Sequence, residues 1–380
     1  MNKISLQIVL ALIVLLSVAC RHDEVTIPSD ADTIIDFPDE DTGIAGFFLL
    51  NEGNMGSNKC TLDHFDWFTG FYRRNIYAET NPSALMELGD VGNDIAVYGS
   101  KVYIVVNCSH KVEVLDLRTA RRLGQIDIPN CRYLAFDGPN AYVSSYIGPV
   151  ADDPDCPRGA VFRVDTTSLA VTGRCPVGYQ PEEMAVIGRK LYVANSGGYR
   201  PPVYDRTVSV VDLDSFTEER RIDVAINLHR LRPDSRGRLW VSSRGNREAT
   251  ILPSLHMLAP DSDGRMALAA SFPDVHVTNM AVGPESIYYF YAAGPGRAVY
   301  DTFDLDRLTP RGHSFIDDAT AQAIRMPYAL ALHPETGNIF LSDARNYVSS
   351  GELYCITPAG STKWHVRTGD IPAAIAFIKK

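Results

Sequence analysis

The chain has 380 residues, of which 45% are hydrophobic and 22% are charged, and these proportions are sufficient for a packed core. Its formal net charge of −10 at pH 7 argues against nucleic acid or an anionic membrane surface as a partner. The length alone would suggest two domains. The internal repeat of the sequence predicts instead that the chain forms one domain.

The N-terminus has the pattern of a targeting segment rather than of a folded element. Lys3 precedes an apolar run over residues 8–16, and Ala19 stands directly before Cys20. This pattern resembles the lipobox of bacterial lipoproteins, in which the Cys becomes the lipidated N-terminus. The resemblance implies a signal peptide over residues 1–19 and lipidation of Cys20. The alternative is an ordinary secretory peptide that is cut near Ala19.

Residues 20–43 are polar, acidic and contain proline, a composition that predicts a flexible tether. Asp23 and Glu24 follow the cysteine closely. They resemble the export signal of Bacteroidetes-type lipoproteins, which implies display on the outer face of the outer membrane. No later apolar run is long enough to span a bilayer, so the lipid is the expected means of membrane attachment.

From residue 101 onward, an aromatic strand phrase recurs at a near-regular interval. Its aromatic residues stand at positions 103, 142, 192, 240, 288 and 340, which gives steps of 39 to 52 residues. Strand repeats of this period are typical of a β-propeller. Each repeat predicts four strands: an inner strand with a central small residue, the aromatic strand, a third strand with alternating apolar residues, and a polar edge strand.

A seventh unit is split between the two ends of the sequence. Residues 46–52 and 61–67 have the pattern of a second and a third strand without an inner strand before them, whereas residues 371–377 have the pattern of an inner strand. Pairing these segments would close the ring and remove two exposed sheet edges. The sequence therefore predicts an all-β fold, a closed seven-bladed β-propeller over residues 44–380. An open β-solenoid and a pair of sandwiches are the alternatives.

Six cysteines follow Cys20, and their spacing matches no zinc motif. An oxidising envelope permits disulfides, and six cysteines allow fifteen connectivities. Cys108 ends a second strand and Cys131 begins the next inner strand, so the two are expected at the same face and form the preferred pair. Several of the cysteines would otherwise serve as small buried hydrophobic residues.

Loop lengths distinguish one face of the predicted propeller. The turns after the inner strands are short, whereas the connections after the second strands are long, as at 144–159 and 195–206. The inner strands begin at the same face with Asn, Arg, Glu and His side chains. Because function usually lies on loops that a rigid scaffold holds, we expect a site here for a polar ligand such as a sugar, a corrinoid or a peptide.

The predicted ligand-binding residues lie at the starts of the inner strands or in the long loops. They are Asn93, Asp94, Arg132, Tyr146, Glu182, Glu183, Asn195, Tyr199, His229, Arg230, Arg244, Asn279, Tyr328, Asp343 and Arg345. A structural role is the alternative for each of them. Asn and Asp near strand ends often bond to the backbone, and Arg and Glu around a channel can pair with one another.

Catalytic motifs are missing from the sequence: it has no serine-nucleophile elbow, P-loop, dinucleotide fingerprint or paired metal-binding histidines. The best acid–base set consists of Glu182, Glu183, His229 and His110. Adjacent glutamates on a strand point to opposite faces, however, and His110 lies in a polar loop. Residues 152–155 could take calcium through oxygen ligands, but a solvated acidic turn is the simpler interpretation. We therefore expect no enzymatic activity, no metal and no cofactor.

Five phrases resemble those of the YncE-like propeller lipoproteins of gut Bacteroidetes. They are LNEGN at 50–54, GNDI at 92–95, YQPEEMA at 179–185, ANSGG at 194–198 and VSVVD at 208–212. The resemblance spans roughly residues 45–380. The group includes surface-layer proteins and the cobalamin-capturing propellers that sit over outer-membrane vitamin B12 transporters. It therefore implies the propeller fold and a ligand-capturing surface lipoprotein. Residues 246–300, which contain five prolines, depart from the pattern.

The leading hypothesis is a monomeric, lipid-tethered propeller on the outer membrane that performs no chemistry. It would capture a small polar ligand, a corrinoid or a glycan among the candidates, and pass it to an outer-membrane transporter. The second hypothesis is an interaction or surface-structural propeller whose partner is another envelope protein or a glycan. A hydrolase or lyase is the third.

Overall fold

The computed structural model describes residues 28–34, 42–84, 87–294 and 296–380. The predicted signal peptide and the predicted lipidation site Cys20 lie outside these residues. The described residues form seven antiparallel sheets, six with four strands and one with five. The inner strand of each sheet contacts the inner strands of its two neighbours around a ring. This arrangement confirms the predicted seven-bladed β-propeller.

Blades 2 to 7 each use four consecutive strands, ordered from the axis outward. Blade 2 contains β5 (Gly92–Tyr98), β6 (Lys101–Val106), β7 (Lys111–Asp116) and β8 (Arg122–Asp127). Blade 3 contains β9 (Cys131–Asp137), β10 (Asn140–Ser145), β11 (Ala160–Asp165) and β12 (Val171–Pro176). Blade 4 contains β13 (Pro181–Ile187), β14 (Lys190–Asn195), β15 (Thr207–Asp212) and β16 (Thr217–Asp223).

Blades 5 to 7 follow the same order. Blade 5 contains β17 (Leu228–Pro233), β18 (Leu239–Ser243), β19 (Ser254–Pro260) and β20 (Met266–Phe272). Blade 6 contains β21 (Asn279–Val282), β22 (Ser286–Gly294), β23 (Arg297–Asp304) and β24 (Thr309–Pro310). Blade 7 contains β25 (Pro327–Leu332), β26 (Ile339–Asp343), β27 (Ser350–Ile356) and β28 (Thr362–Asp370). Two short helices, α1 (Ile76–Thr80) and α2 (Asp318–Ala323), lie between strands of the described chain.

Blade 1 joins the two ends of the folded chain, as the sequence predicts. It contains β1 (Ala31–Thr33), β2 (Ile44–Asn51), β3 (Thr61–Asp66), β4 (Phe71–Arg73) and β29 (Pro372–Lys379). The inner strand β29 pairs antiparallel with β2, so that Phe47 lies opposite Phe377. Phe47 is completely buried, and its ring also lies 5.3 Å from that of Phe340 in blade 7. The ring is therefore closed by backbone hydrogen bonds between β2 and β29 and by an aromatic core between the first and last blades.

Part of the stretch predicted to be tether belongs to the propeller. Residues 31–33 form β1, which pairs with β4 at the outer edge of blade 1. Arg74 forms ion pairs with Asp30 and Asp32, and Ile34 is buried against the aromatic core of the blade. The acidic composition favours a flexible segment, but the unpaired edge of β4 and a nearby arginine provide partners for it.

The burial of each strand follows from its position in the blade. The second strand β6 lies between neighbouring blades, and all its residues except Lys101 are buried. Such a strand has an almost continuous apolar sequence because both of its faces are covered. The outermost strand β8 is largely exposed and polar. Tight turns link the inner and second strands, and Gly99 supplies the positive φ of 58° that one such turn requires.

The predicted disulfide between Cys108 and Cys131 does not form: both thiols are free, as are the other four described cysteines. The buried Cys131 thiol lies 3.2 Å from the carbonyl oxygen of Lys111, whereas Cys108 contacts the side chain of Asn107. The sequence places both cysteines near one face, but it does not determine the direction in which each thiol points. Five of the six described cysteines are buried and pack as small hydrophobic residues.

Candidate functional site

A β-bulge recurs at the start of the inner strands, on the face that carries the long loops. In β13, the pairing with β14 shifts register between Pro181 and Met184, so that Glu182 and Glu183 form the bulge. Equivalent shifts occur in five more of the described inner strands, namely β5, β9, β17, β25 and β29. Bulges redirect side chains. Here they bring polar residues from several blades together near the propeller axis, and we call this region the axial site.

Glu182 is the centre of one ion-pair cluster in the axial site. It is fully buried, and Nε and Nη2 of Arg132 donate to one of its oxygens at 3.2 and 3.1 Å. The other oxygen accepts from the Tyr146 hydroxyl at 2.6 Å and from Arg244 Nη1 at 2.9 Å. Burial alone would raise the pKa of Glu182, but Arg132 and Arg244 outweigh it and hold this pKa below its ordinary value. The carboxylate is therefore ionised and fixed in position.

Glu183 organises a second cluster with different partners. Arg230 Nη1 donates to it at 2.6 Å, Arg232 donates through Nη2 and Nε at 3.1 and 3.3 Å, and the backbone N–H of Leu231 donates at 3.0 Å. Burial opposes ionisation, but the two arginines lower the pKa of Glu183 to about 2. The two neighbouring glutamates of the bulge thus bind separate arginine pairs.

His229 and Tyr133 connect the two clusters. The Tyr133 hydroxyl lies 3.0 Å from His229 Nε2 and 3.4 Å from Arg230 Nη1. Burial lowers the pKa of His229 well below its ordinary value, and the charges of Arg244, Arg230, Arg132 and Arg232 lower it further. His229 is consequently neutral in a strongly basic environment.

The remaining acidic groups of the axial site hold their protons more tightly than usual. Burial raises the pKa of Asp94 to about 7, although the backbone N–H groups of Leu134 and Ile95 each donate to it at 2.9 Å. Burial also raises the pKa of Glu52, which accepts a hydrogen bond of 2.5 Å from the Tyr328 hydroxyl. These two carboxyl groups therefore contribute less negative charge than their number suggests.

Two cavities adjoin these clusters. A cavity of about 420 Å³ follows the axis. Its polar lining includes Asn93, Asp94, Tyr133, Glu183 and Arg230, and its apolar lining comes mainly from alanine and aliphatic side chains of blades 1, 6 and 7. A second pocket of about 370 Å³ has His229 and Arg244 at its wall beside apolar residues of blades 5 and 6. The Tyr133–His229 contact joins a residue of one cavity to a residue of the other.

The long loops of blades 3, 4 and 5 support the rim of the site by contacting one another. The backbone N–H of Asp153 donates to the carbonyl of Tyr199 at 2.9 Å, and Arg247 pairs with Asp152 and lies over the Tyr199 ring. The Tyr199 ring in turn lies 6.3 Å from that of Tyr146. Loops that are far apart in the sequence thus form one layer, which contains the predicted residue Tyr199.

Two other predicted ligand residues, Asn195 and Asp343, form hydrogen bonds within the scaffold. The Asn195 side chain donates to Thr207 and Ser209 inside blade 4. Asp343 is fully buried and accepts from the backbone N–H groups of Arg325, Met326 and Arg345, so that it anchors the loops around it. For these two residues the structure favours the alternative role considered from the sequence.

Asn279 and Arg345 also have protein partners. Asn279 donates to the carbonyl of Tyr328 at 2.8 Å and accepts from the backbone of Met280, which ties blade 6 to blade 7. Arg345 lies 3.4 Å from Glu352 at the outer part of the loop layer. Asn93 donates to the carbonyl of Arg132, but it also lines the axial cavity.

Sequence reasoning missed three residues of the axial site, Glu52, Tyr133 and Arg232. Tyr133 and Arg232 lie within inner strands that the repeat does identify, directly after Arg132 and two residues after Arg230. Listing every polar or aromatic residue of the inner strands would have found both. Glu52 follows a second strand, and only the closure of the ring brings it to Tyr328 in blade 7.

His110 and Asp152, considered from the sequence for catalysis and for calcium, have protein partners. His110 Nδ1 accepts from the backbone N–H of Asn130 at 3.0 Å and so supports a turn. Asp152 is bound by Arg247. Across the residues that the structure describes, no group of three or more His, Cys, Asp or Glu side chains is arranged to hold a metal ion.

No protein-family model matches the chain, and neither does any curated protein. Solved structures match it at low identity. A 6-phosphogluconolactonase-like protein of Bacteroides fragilis has a TM-score of 0.61 at 13% identity, with 90% of this chain and 100% of that chain covered. A quinoprotein alcohol dehydrogenase-like protein of Bacteroides thetaiotaomicron has a TM-score of 0.58 at 14% identity, with 88% and 78% covered. The Swd1 β-propeller domain of Myceliophteria thermophila has a TM-score of 0.52 at 10% identity, with 83% and 96% covered. At such identities the likeness is one of fold, and by fold this chain is a seven-bladed β-propeller.

Proposed function

We propose that this protein is a non-catalytic, lipid-anchored receptor on the outer membrane that captures a small polar ligand at the axial site and passes it to a transporter. The observation that carries the proposal is the preformed polar network around the axial cavity. Ion pairs of 2.6 to 3.1 Å fix the side chains before any ligand arrives. A site whose polar groups are already oriented loses little conformational entropy on binding.

The size and composition of the axial cavity suit a small molecule. Its volume of about 420 Å³ falls within the range of ligand pockets, and a few polar groups at one end face an apolar wall at the other. A monosaccharide-sized molecule fits this volume. A corrinoid is larger, so it would rest on the loop layer and place one substituent at the axis.

Exposed apolar residues of the long loops support contact with a partner. Met55, Val203, Ile251, Leu252, Tyr347 and Val348 are between 38% and 70% exposed. All six follow second strands and therefore lie on the face of the axial site; we call them the apolar rim. Apolar residues gathered around a polar mouth are typical of interaction surfaces. The rim supports a docking role for this face, on which the proposed transfer to a transporter depends.

The anchoring part of the proposal concerns Cys20. Its lipidation would hold the propeller at the membrane through residues that precede the folded blades. We expect Cys20→Ser to abolish incorporation of labelled palmitate and to release the protein from the membrane fraction. Retention of the label on this variant would contradict lipidation at this position.

Thermal unfolding tests ligand capture. We expect at least one member of a panel of cobalamin, cobinamide and glycans to raise Tm in a concentration-dependent manner. The shift should diminish in Tyr133→Phe, which loses the hydroxyl at the axis. It should persist in Tyr98→Phe, a matched control at the opposite end of an inner strand, where the hydroxyl bonds to Gly138.

The apolar rim favours a second candidate, a propeller whose main role is to bind another envelope protein. If no ligand of the panel shifts Tm and the tagged propeller recovers an envelope protein, this interaction role replaces ligand capture.

A further inference from the structure

We propose that the ligand of the axial site is an anion, a small molecule that carries a carboxylate or phosphate group, and that Arg230, Arg132 and Arg244 bind it. This inference rests on the proposed function, since it names the chemical class of the captured ligand.

The arginines of the axial site outnumber the glutamates that pair with them. Four arginine side chains, Arg132, Arg230, Arg232 and Arg244, surround the two glutamates Glu182 and Glu183. Each glutamate neutralises one positive charge, so two positive charges remain. Burial is the main cause of the low pKa of His229, and the charges of all four arginines lower it further, in agreement with their common position around the axis. A group at the axis therefore meets an excess of positive charge although the whole chain carries −10.

Two nearby carboxyl groups, Asp94 and Glu52, offset this excess only in part. Asp94 has a pKa of about 7 and Glu52 has a raised pKa, in both cases mainly because of burial. The oxygens of Asp94 already accept two backbone N–H groups, and Glu52 is held by Tyr328. With a pKa of about 7, Asp94 is only partly ionised at neutral pH, so it offsets this excess only in part and a bound anion would complete the charge balance.

Some guanidinium N–H groups of the axial site have no acceptor in the ranges that the structure describes. Arg230 Nη1 serves Glu183 and Tyr133, but the buried Nε of Arg230 has no partner among the described residues. Arg244 donates to Glu182 through Nη1, and its other guanidinium nitrogens have no hydrogen-bond partner within the described part of the chain. A buried N–H without an acceptor is costly, and guanidinium donors match the geometry of carboxylate and phosphate oxygens.

The arginine side chains of the axial site are partly exposed. The side chains of Arg132, Arg230 and Arg244 are 14%, 16% and 37% exposed, so the excess charge is reachable from the long-loop face while it remains partly desolvated. Partial desolvation strengthens an ionic contact relative to a fully solvated one. Of these three arginines, Arg230 also lines the axial cavity, whose apolar wall would then accommodate the uncharged part of the molecule.

Titration calorimetry on the full chain tests this inference. The probes are inorganic phosphate, citrate, glucuronate, glucose 6-phosphate and, as the uncharged counterpart of the last two, glucose. We expect at least one anion to bind, with an affinity that falls as salt increases, and glucose not to bind. Comparison of glucuronate with glucose 6-phosphate distinguishes a carboxylate ligand from a phosphate ligand.

Variants locate the contact. Arg230→Gln should weaken anion binding about tenfold or more, since a hydrogen bond to a charged group is lost, and Arg230→Lys should restore part of it. Arg206→Gln is the control, because it removes the same charge at an exposed pair with Asp223. Should Arg230→Gln fail to fold, Arg244→Gln serves instead, since Glu182 keeps Arg132 and Tyr146.

The outcomes separate this inference from the proposed function. Binding of glucose, a corrinoid or a glycan without binding of any anion overturns the inference and leaves ligand capture intact. Anion binding that Arg230→Gln and Arg244→Gln leave unchanged overturns the assignment to the axial site. If no anion and no neutral compound binds, both proposals fail.

Discussion

At the scale of single residues, Glu183 shows how this propeller keeps charges in its interior. A buried carboxylate is stable only where its partners outweigh the lost hydration, and Arg230, Arg232 and the Leu231 backbone supply that compensation. The same bonds fix the direction of both guanidinium groups. The stability of the protein and the order of its candidate site therefore depend on the same contacts.

Removal of Glu183 should destabilise the fold strongly. Glu183→Ala leaves Arg230 and Arg232 in place without their counter-ion, and breaking a buried pair in this way costs about 3–5 kcal/mol. Urea unfolding measures the change in the free energy of unfolding. Glu219→Ala is the control: its pair with Lys190 is largely solvated, and it should cost less than about 1 kcal/mol. Equal losses for the two variants would contradict a buried role for Glu183.

The raised pKa of Asp94 predicts that the stability of the fold depends on pH. Its pKa rises from an ordinary 3.8 to about 7 in the folded state, so the folded chain binds this proton more tightly than the unfolded chain does. The contribution of Asp94 to stability is therefore fully present below about pH 3.8, and it falls by up to about 1.4 kcal/mol per pH unit as the pH rises towards 7.

The variant Asp94→Asn removes this titration while the other ionisable groups remain. The free energy of unfolding of wild type minus that of Asp94→Asn, measured by urea unfolding from pH 4 to pH 8, should decrease up to about pH 7 and then level off. A difference that stays constant over this range would show that Asp94 titrates normally in the folded state.

At the scale of the structural element, the inner strands combine two tasks. Their central residues pack the blades together, whereas the bulge at the start of most of them directs polar side chains to the axis. Proline opens three of these strands, β13, β25 and β29, at the first position, where a missing N–H is tolerated. The elements that build the scaffold thus also present the candidate site.

The strand pair β2–β29 should control the stability of the ring. Phe47 is completely buried between blades 1 and 7, so Phe47→Ala should cost about 3–5 kcal/mol through lost contacts and the cavity left behind. Phe71→Ala is the matched control, because Phe71 is 46% exposed in β4, next to the outermost strand β1 of the blade. Thermal and urea unfolding of both variants would measure the difference, and similar small losses would argue against closure through this interface.

At the scale of the whole molecule, the propeller places unlike surfaces on its two faces. The long loops carry the apolar rim around a basic mouth, whereas the opposite face is formed by tight turns. We expect a partner that receives a ligand from the axial site to approach the first of these faces, because the apolar rim lies there. Ligand binding and partner binding should therefore be separable by mutation, since they use different residues of one surface.

Polar substitution of the rim should affect the partner and not the ligand. The quadruple variant Met55→Ser, Val203→Ser, Ile251→Ser and Val348→Ser should lose the envelope protein in a pull-down and keep its ligand-induced Tm shift. Phe68→Ser is the control, since Phe68 is 95% exposed in a turn after the third strand, on the opposite face. Loss of the partner with the control variant alone would place docking on the wrong face for transfer.

The sequence by itself determined the repeat, the seven blades and the polar ends of the inner strands, because strand periodicity and turn residues are local features. The aromatic positions 103 to 340 and the split unit at the two ends were sufficient for this. Only the tertiary structure decided which charges meet. Glu183 lies 47 positions from Arg230, and Glu52 lies 276 positions from Tyr328. Such contacts follow from the closed ring and the bulges, and no local pattern encodes them. The same reason explains why Asn195 and Asp343, which look like ligand residues in the sequence, have their side chains bonded within the loops and blades of the scaffold.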